Sequence, residues 1–126
     1  GCLNNWVDGW VDWNMVLDRQ GGPNWFKNWC VAPVIVDPDA DEVYFTPLYY
    51  TMSHFSRFIR PGAIRIGVEH SDSDLQTTAA KNPDGSIAVV VFNPTEERRN
   101  YVLALTDTET TISIDSKAIQ TIIINR

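Results

Sequence analysis

The sequence predicts an α/β segment over residues 1–60 and an all-β segment over residues 61–126. Three observations indicate this division. Short apolar runs and one helical pattern fill the first segment, which also holds all five tryptophans and both methionines. From residue 63 onward, apolar residues recur with the period of two that is typical of β-strands. Turn residues separate these later runs, which favours several short antiparallel strands.

Two apolar runs in the first segment precede the predicted helix. Residues 13–17 read Trp-Asn-Met-Val-Leu and end at Asp18, ahead of a Gly-Gly-Pro turn. This run is apolar on both faces, so we expect a strand covered on both sides, as parallel strands usually are. The sequence does not reveal its neighbours. Residues 31–36 form the second run, before an acidic turn at residues 37–41.

The next element predicted is one amphipathic helix. Thr46 and Pro47 are a favourable N-cap and first-turn pair, and Pro61-Gly62 is a strong stop. Between them, apolar residues recur at the helical spacings of four, three and four, at Leu48, Met52, Phe55 and Ile59.

The second segment predicts five or six short strands in an antiparallel sheet or half of a sandwich. An Asn-Pro-Asp-Gly turn at residues 82–85 leads into the apolar run at residues 87–92. The remaining alternating or apolar runs are Ile64, Ile66 and Val68; Tyr101, Leu103 and Leu105; Ile112 and Ile114; and residues 119–124.

Composition argues against several classes of partner. The 10 Lys and Arg against 16 Asp and Glu give a net charge of −6, which disfavours nucleic acid and anionic membranes. No apolar run approaches the roughly 20 residues of a transmembrane helix. A chain that begins with Gly rather than Met is expected to be processed or a piece of a longer one. Cys2 and Cys30 are expected to be buried free thiols.

The tryptophans carry the functional signal. Trp10-Val11-Asp12-Trp13-Asn14 is followed by a Gly-Gly-Pro-Asn-Trp block at residues 21–25. Indole faces stack on the C–H groups of a sugar ring, while carboxylates and amides hydrogen-bond its hydroxyls. These residues therefore predict a carbohydrate-handling protein.

The same residues resemble a known family. Residues 9–18, the block at residues 21–25 and residues 54–63 resemble the end of the catalytic barrel of glycoside hydrolase family 30, whose best-known members are glucosylceramidases. Residues 84–93 and 119–122 resemble the β-sandwich that follows this barrel. The likeness covers nearly the whole chain in colinear order.

The resemblance implies the last βα unit of a (β/α)8 TIM barrel over residues 1–60, joined to a C-terminal antiparallel β-sandwich over residues 61–126. It implies a retaining hydrolase of β-glucosyl bonds in glycolipids or glucans, without a cofactor. Such a reaction uses two carboxyl groups, one of them with a raised pKa. In the family both are glutamates upstream of the matched region, so this chain alone is expected to be inactive and to need the rest of the barrel, in cis or as a separate chain.

The resemblance also implies the site residues. Trp13 and Asn14 face the substrate, with Trp13 as a wall of the glucose pocket. Asn28 and Trp29 belong to a mobile loop at the pocket mouth. It implies an extracellular, periplasmic or lysosomal location. In the alternative interpretation, which stays open, the same indoles pack in the top layer of the barrel and do not contact a sugar.

No catalytic or metal-binding residue is predicted in this chain. The glutamates fit solvated loop carboxylates, and His54 and His70 lack further ligands at metal-binding spacing. The alternative function for the β-rich segment is a non-catalytic carbohydrate-binding or structural module. Its sugar recognition would have to use Phe92 and Tyr101, which both lie on apolar strands.

Overall fold

The computed structural model describes residues 1–69, 73–106 and 108–125. The chain forms two compact units. One spans Val7–Ser53, and the other combines Gly1–Trp6 with His54–Arg126. Helix α1, Pro47–Ser56, contributes residues to both units. The predicted domain boundary after residue 60 stays a prediction.

The unit Val7–Ser53 contains a three-stranded mixed sheet. Strand β1, Val16–Asp18, pairs in parallel with β2, Val34–Asp37, and β2 pairs in antiparallel with β3, Glu42–Phe45. The strand predicted at residues 13–17 is therefore wrong in its bounds, because pairing starts only where Val16 lies opposite Val34. Leu17 is buried, and the neighbour that the sequence does not reveal is β2.

The acidic end of β2 is held by an ion pair between a buried carboxylate and an exposed guanidinium. Asp37 has 4% of its surface exposed, and Arg19 Nη1 donates to its Oδ2 over 2.8 Å. Asp37 Oδ1 accepts the backbone N–H groups of Asp39 and Ala40, which shapes the turn into β3. Burial works to raise the pKa of Asp37, but Arg19 and these two N–H groups outweigh it and lower the pKa.

Helix α1 is shorter than the sequence predicts. It ends at Ser56, and the predicted apolar stripe continues past it into a turn in which Ile59 N donates to Phe55 O. The helix begins at Pro47, as predicted, and Thr46 lies at the N-cap position, where its carbonyl accepts a hydrogen bond from Tyr50 N. The Thr46 hydroxyl donates instead toward the carbonyls of Ala32 and Pro33, at 3.1 and 3.0 Å, because the chain leaves β3 beside β2.

The other unit is antiparallel, as predicted. Its strands are β4 Ile64–Ile66, β5 Gln76–Lys81, β6 Ile87–Phe92, β7 Arg99–Leu105, β8 Thr108–Ile114 and β9 Ile119–Ile124. Four of them form a sheet in the order β4-β5-β6-β9, and β7 and β8 form a separate two-stranded ribbon. Strand β6 has the predicted bounds, whereas β5 is not predicted because its Thr-Thr-Ala-Ala run has weak hydrophobic alternation.

The core of this unit lies on one face of β6. Val89 and Val91 pack there with Ile114 of the ribbon, and Tyr101, Leu103 and Leu105 of β7 pack against them on the predicted common face. The opposite face of β6 is also buried, because Ala88 and Val90 have 0% and 3% of their surface exposed. Strand β6 is thus the central strand of the unit.

Two buried asparagines fix the turns around this core. Asn93 donates through Nδ2 to the carbonyls of Glu97 and Asp115, and its Oδ1 accepts from the backbone and hydroxyl of Thr95. Asn82 Nδ2 donates to Phe58 O, and Asn82 Oδ1 accepts from Arg60 N. Asn82 therefore joins the segment after α1 to the β5–β6 hairpin.

The first six residues pack on the same unit. Asn4 Nδ2 donates to Thr77 O over 2.8 Å, and the Arg65 guanidinium lies 4.7 Å from the centroid of the Trp6 ring. Both cysteines are free, as predicted, but Cys2 is exposed because it precedes a surface 3-10 turn with no buried residue. Cys30 is half-buried.

Candidate functional site

The predicted site residues lie on two stretches of the unit Val7–Ser53. Trp13 and Asn14 precede β1, and Asn28 and Trp29 lie on the connection from β1 to β2. Trp13 is 78% exposed, Trp29 is 61% exposed and Asn14 is half-buried. The backbone N–H of Trp13 donates to Asp12 Oδ1 over 2.8 Å, so this aspartate fixes the local backbone.

The connection after β1 begins with a turn built around the Asp18 carboxylate. Asp18 Oδ1 accepts the backbone N–H groups of Gln20 and Gly22, at 2.9 and 2.7 Å. Backbone hydrogen bonds also run from Asp18 N to Gly22 O and from Gly21 N to Asp18 O. Asp18 thus closes the strand and caps the turn through the nearby backbone, as its position after an apolar run predicts.

The two glycines bring the far end of the loop back onto this turn. Gly21 has φ +85°, and a Cβ there would lie 2.4 Å from the carbonyl oxygen of Cys30. A Cβ on Gly22 would lie 3.5 Å from Cζ3 of Trp29 and 3.0 Å from Oδ2 of Asp18. Only glycine allows the approach of Cys30 to position 21, and Gly22 lies within van der Waals reach of Trp29, so the two glycines form the surface on which Trp29 and Cys30 pack. The sequence alone does not reveal this close packing.

The apex of the loop is exposed and conformationally strained. Trp25 and Phe26 are 82% and 92% exposed, and Phe26 and Lys27 have φ values of 60° and 56°. Positive φ at residues other than glycine costs on the order of 1–3 kcal/mol each and often marks binding sites. Asn28 follows these residues with its side chain exposed.

The structure does not join the two stretches directly. Among the described residues, no hydrogen bond or ring contact links Trp13 with Asn28 or Trp29. What they share is exposed indole and amide surface, which suits stacking and hydrogen bonding to a sugar. The role of Trp13, Asn14, Asn28 and Trp29 in substrate binding stays a prediction.

Two acidic residues of the same unit, Asp37 and Glu42, have structural partners. Asp37 has a lowered pKa, whereas a glycosidase general acid needs a raised one. Glu42 accepts a hydrogen bond from the Tyr44 hydroxyl and thereby raises the pKa of Tyr44. This pattern is typical of ion pairs and hydrogen bonds that stabilise a hairpin.

His54 has a structural partner. Its Nδ1 lies 2.9 Å from the hydroxyl of Thr121 on β9, and burial lowers the pKa of His54. His70 lies outside the described residues. Within the described ranges, no group of three His, Cys, Asp or Glu side chains is placed to bind a metal ion. Nor does that part of the chain contain a helix with the length and apolarity to cross a bilayer.

Comparison with known families identifies both halves of the chain. Residues 1–59 match the glycosyl hydrolase family 30 TIM-barrel domain. Residues 62–122 match the glycosyl hydrolase family 30 beta sandwich domain. The chain belongs to glycoside hydrolase family 30. The predicted fold class, the end of a TIM barrel followed by an antiparallel sandwich, is thereby confirmed.

Curated family 30 relatives are similar over much of this chain. The lysosomal acid glucosylceramidase of Mus musculus is 47% identical over 92 residues, covering 72% of this chain and 18% of the relative. Putative glucosylceramidase 4 of Caenorhabditis elegans is 44% identical, covering 75% and 18%. The endo-1,6-beta-D-glucanase neg1 of Aspergillus fumigatus is 31% identical, covering 74% and 20%. The chain spans about a fifth of the length of these curated relatives.

Two solved structures are similar to nearly the whole of this chain. SrfJ from Salmonella typhimurium has a TM-score of 0.88 and 30% identity, covering 91% of this chain and 26% of that one. The endo-beta1,6-glucanase BT3312 has a TM-score of 0.86 and 27% identity, covering 94% and 27%. This family 30 chain therefore matches about a quarter of each solved structure.

Proposed function

We propose that this chain supplies the closing part of the glucose pocket of a retaining β-glycosidase of the glucosylceramidase type. The substrate is a β-glucoside, either a glycolipid or a glucan. Trp13 forms a wall of the pocket, Asn14 faces the substrate beside it, and Asn28 and Trp29 lie at the pocket mouth. The similarity to glucosylceramidases, at 44–47% identity, carries this proposal.

The exposure of the indoles supports a role in binding. Trp13, Trp25 and Trp29 have 61–82% of their surfaces exposed. Contiguous exposed apolar surface marks a site that meets a partner or a ligand, and the rings of Trp25 and Phe26 lie side by side with centroids 6.4 Å apart. A sugar ring and the remaining wall of a barrel are partners of suitable chemistry, because both present C–H groups to an aromatic face.

The catalytic acids belong, on this proposal, to the rest of the barrel, present in cis or as a separate chain. Retaining hydrolysis needs two carboxyl groups about 5–5.5 Å apart. The assembled enzyme is this chain together with the polypeptide that carries those carboxyl groups. The 126-residue chain alone is expected to release no glucose.

The β-rich unit acts as a structural buttress. Phe92 and Tyr101, the aromatic residues considered for sugar binding, are half-buried, and the Tyr101 hydroxyl accepts a hydrogen bond from Gln120 Nε2. A half-open groove of about 440 Å³ lies between the ribbon and β9, with Leu103, Leu105, Ile112, Ile122 and Ile124 in its lining. Apolar surface at the edges of a sandwich suits packing against further protein.

An extracellular, periplasmic or lysosomal location accompanies the proposal. The mouse relative is named as a lysosomal enzyme. Measuring where the assembled enzyme accumulates in its own cells tests the location independently of activity.

The test of the pocket is the kinetics of Trp13→Ala in the assembled enzyme on an aryl β-glucoside. Loss of one aromatic stacking wall is expected to lower kcat/KM by about 1–3 kcal/mol of transition-state binding. Trp6→Ala is the matched control, since Trp6 is 80% exposed but lies over Arg65 in the other unit. Retention is checked by NMR of the first-formed anomer. Equal kinetics for the two variants, or an inverted product, contradicts the proposal.

A further inference from the structure

The loop between β1 and β2 has a base whose geometry is set by one carboxylate. The base comprises residues 18–22 on one flank and Trp29 and Cys30 on the other. Gly21 and Gly22 are buried, although the apex between the flanks is exposed. We call this base the Asp18 seat.

The carboxylate acts on the first flank directly. Asp18 Oδ1 accepts two backbone N–H groups, at 2.9 Å from Gln20 and 2.7 Å from Gly22. Hydrogen bonds to an ionised acceptor are about twice as strong as neutral ones. Without that oxygen, the half-buried Gly22 N–H would have to find another acceptor, and the turn would open.

The first flank in turn fixes the second. Cys30 N donates to Gly21 O over 3.4 Å, and a Cβ on Gly21 would overlap the Cys30 backbone. The edge of the Trp29 indole lies at van der Waals distance from the position that a Gly22 Cβ would take. A displacement of Gly22 therefore moves the surface on which Trp29 rests. Asn28 is bonded to Trp29 in the chain, so its side chain moves with it.

The seat also retains the strained apex. Phe26 and Lys27 adopt left-handed backbone conformations that a free loop would leave. Closure of the two flanks at Gly21 and Cys30 restricts this relaxation. The seat thus selects one conformation for the segment that carries Asn28 and Trp29.

We propose that Asp18 is a positioning residue, which holds the Gly21–Gly22 turn under Trp29 and so places Trp29 and Asn28 for contact with the sugar. This inference rests on the proposed function in assigning sugar contact to these two residues. Its structural part, the dependence of the Trp29 position on the Asp18 carboxylate, does not.

The test compares Asp18→Ala with Asp18→Asn in the assembled enzyme. Asparagine retains an oxygen acceptor for both N–H groups, whereas alanine retains none. Asp39→Ala is the matched control, because Asp39 is exposed in the same unit and its side chain makes no hydrogen bond within the described residues.

Three measurements report in turn on the Gly21–Gly22 turn, on the Trp29 side chain and on substrate binding. Hydrogen exchange of the peptide that covers the turn is expected to lose about 10- to 100-fold protection in Asp18→Ala. Acrylamide quenching of Trp29 is expected to increase, with the Trp29 signal isolated by subtracting the corresponding Trp29→Phe protein. KM is expected to rise with kcat little changed, because a mouth contact stabilises ground and transition states alike. Asp18→Asn is expected to restore all three.

The outcomes separate the inference from the proposed function. If Trp29→Ala raises KM but Asp18→Ala does not, Asp18 is not a positioning residue. If Asp18→Asn is as damaging as Asp18→Ala in all readouts, acceptance of the two N–H groups is not the cause. If Trp29→Ala leaves KM unchanged, the sugar-binding role of the loop is wrong, whatever the exchange data show.

A second variant tests the inference if the Asp18→Ala protein does not fold. Gly21→Ala keeps the carboxylate and places a methyl group 2.4 Å from the carbonyl oxygen of Cys30, so the second flank must shift. It is expected to raise both Trp29 quenching and KM. Unchanged quenching in a folded Gly21→Ala protein shows that the position of Trp29 does not depend on this turn and overturns the inference.

Discussion

The contacts within the Asp18 seat predict how much Gly21→Ala destabilises the fold. Gly21 has φ +85°, and an L-residue in this region costs about 1–2 kcal/mol. The new Cβ would also lie 2.4 Å from Cys30 O and 2.9 Å from Cys30 N, both of which are backbone atoms that cannot rotate away. Such overpacking adds about 1–3 kcal/mol. The expected loss in the free energy of unfolding is therefore about 2–5 kcal/mol.

Two glycines separate these contributions. Gly85 has φ +88° with nothing within 4 Å of an added Cβ, so Gly85→Ala reports the backbone cost alone. Gly9 has neither a left-handed φ nor a neighbour within 4 Å, so Gly9→Ala is expected to be neutral or to stabilise by a few tenths of a kcal/mol, at most about 1. Urea unfolding of the three variants, followed by fluorescence and circular dichroism, measures the differences. Equal losses in Gly21→Ala and Gly85→Ala would refute the close contact with Cys30.

Three further predictions concern the polar groups. Asn93→Ala removes a buried side chain that bonds the carbonyls of Glu97 and Asp115 and the N–H group of Thr95. It is expected to cost about 2–4 kcal/mol in urea unfolding, with the exposed Asn100→Ala near zero as its control. Burial lowers the pKa of His54, so as pH falls the His54 imidazole takes up a proton in the unfolded chain before it does so in the folded chain. The free energy of unfolding therefore falls as pH drops below about 6.5, and His54→Gln should flatten this pH dependence. The pKa of Asp37 is lowered in the folded state, so ionised Asp37 stabilises the fold above its unfolded pKa of 3.8, and this stabilisation is lost as pH falls through the folded value. Asp37→Asn should therefore lower the free energy of unfolding at pH 7 and remove this acid dependence. An unchanged acid transition would contradict the ion pair with Arg19.

The sandwich was the more predictable half because its signals are local. The Asn-Pro-Asp-Gly turn and the apolar run after it give β6 its bounds, Ile87–Phe92, and the alternation at Tyr101, Leu103 and Leu105 gives the buried face of β7. Strand β5 lacks such a signal. Its bounds come from pairing with β6, in which Ala79 lies opposite Val89.

The barrel half was less predictable because its short strands depend on distant partners. Strand β1 has three residues, and its parallel pairing with β2 decides where it begins. Thr46 has the sequence context of an N-cap, but the nearby carbonyls of Ala32 and Pro33 compete for its hydroxyl. The site residues were predicted from residue chemistry and a family resemblance, which do not specify the contacts between them.

The sequence by itself determined the family, the position of helix α1, the antiparallel character of the second half and the supply of indole and amide groups. These properties reside in residue identity and short-range periodicity. Only the tertiary structure decided that Asp37 pairs with Arg19 and that Gly22 lies beneath Trp29. Such contacts join residues that are distant in the chain, and the physical reason they escape sequence analysis is that packing and hydrogen-bond geometry choose among many partners of equal local propensity.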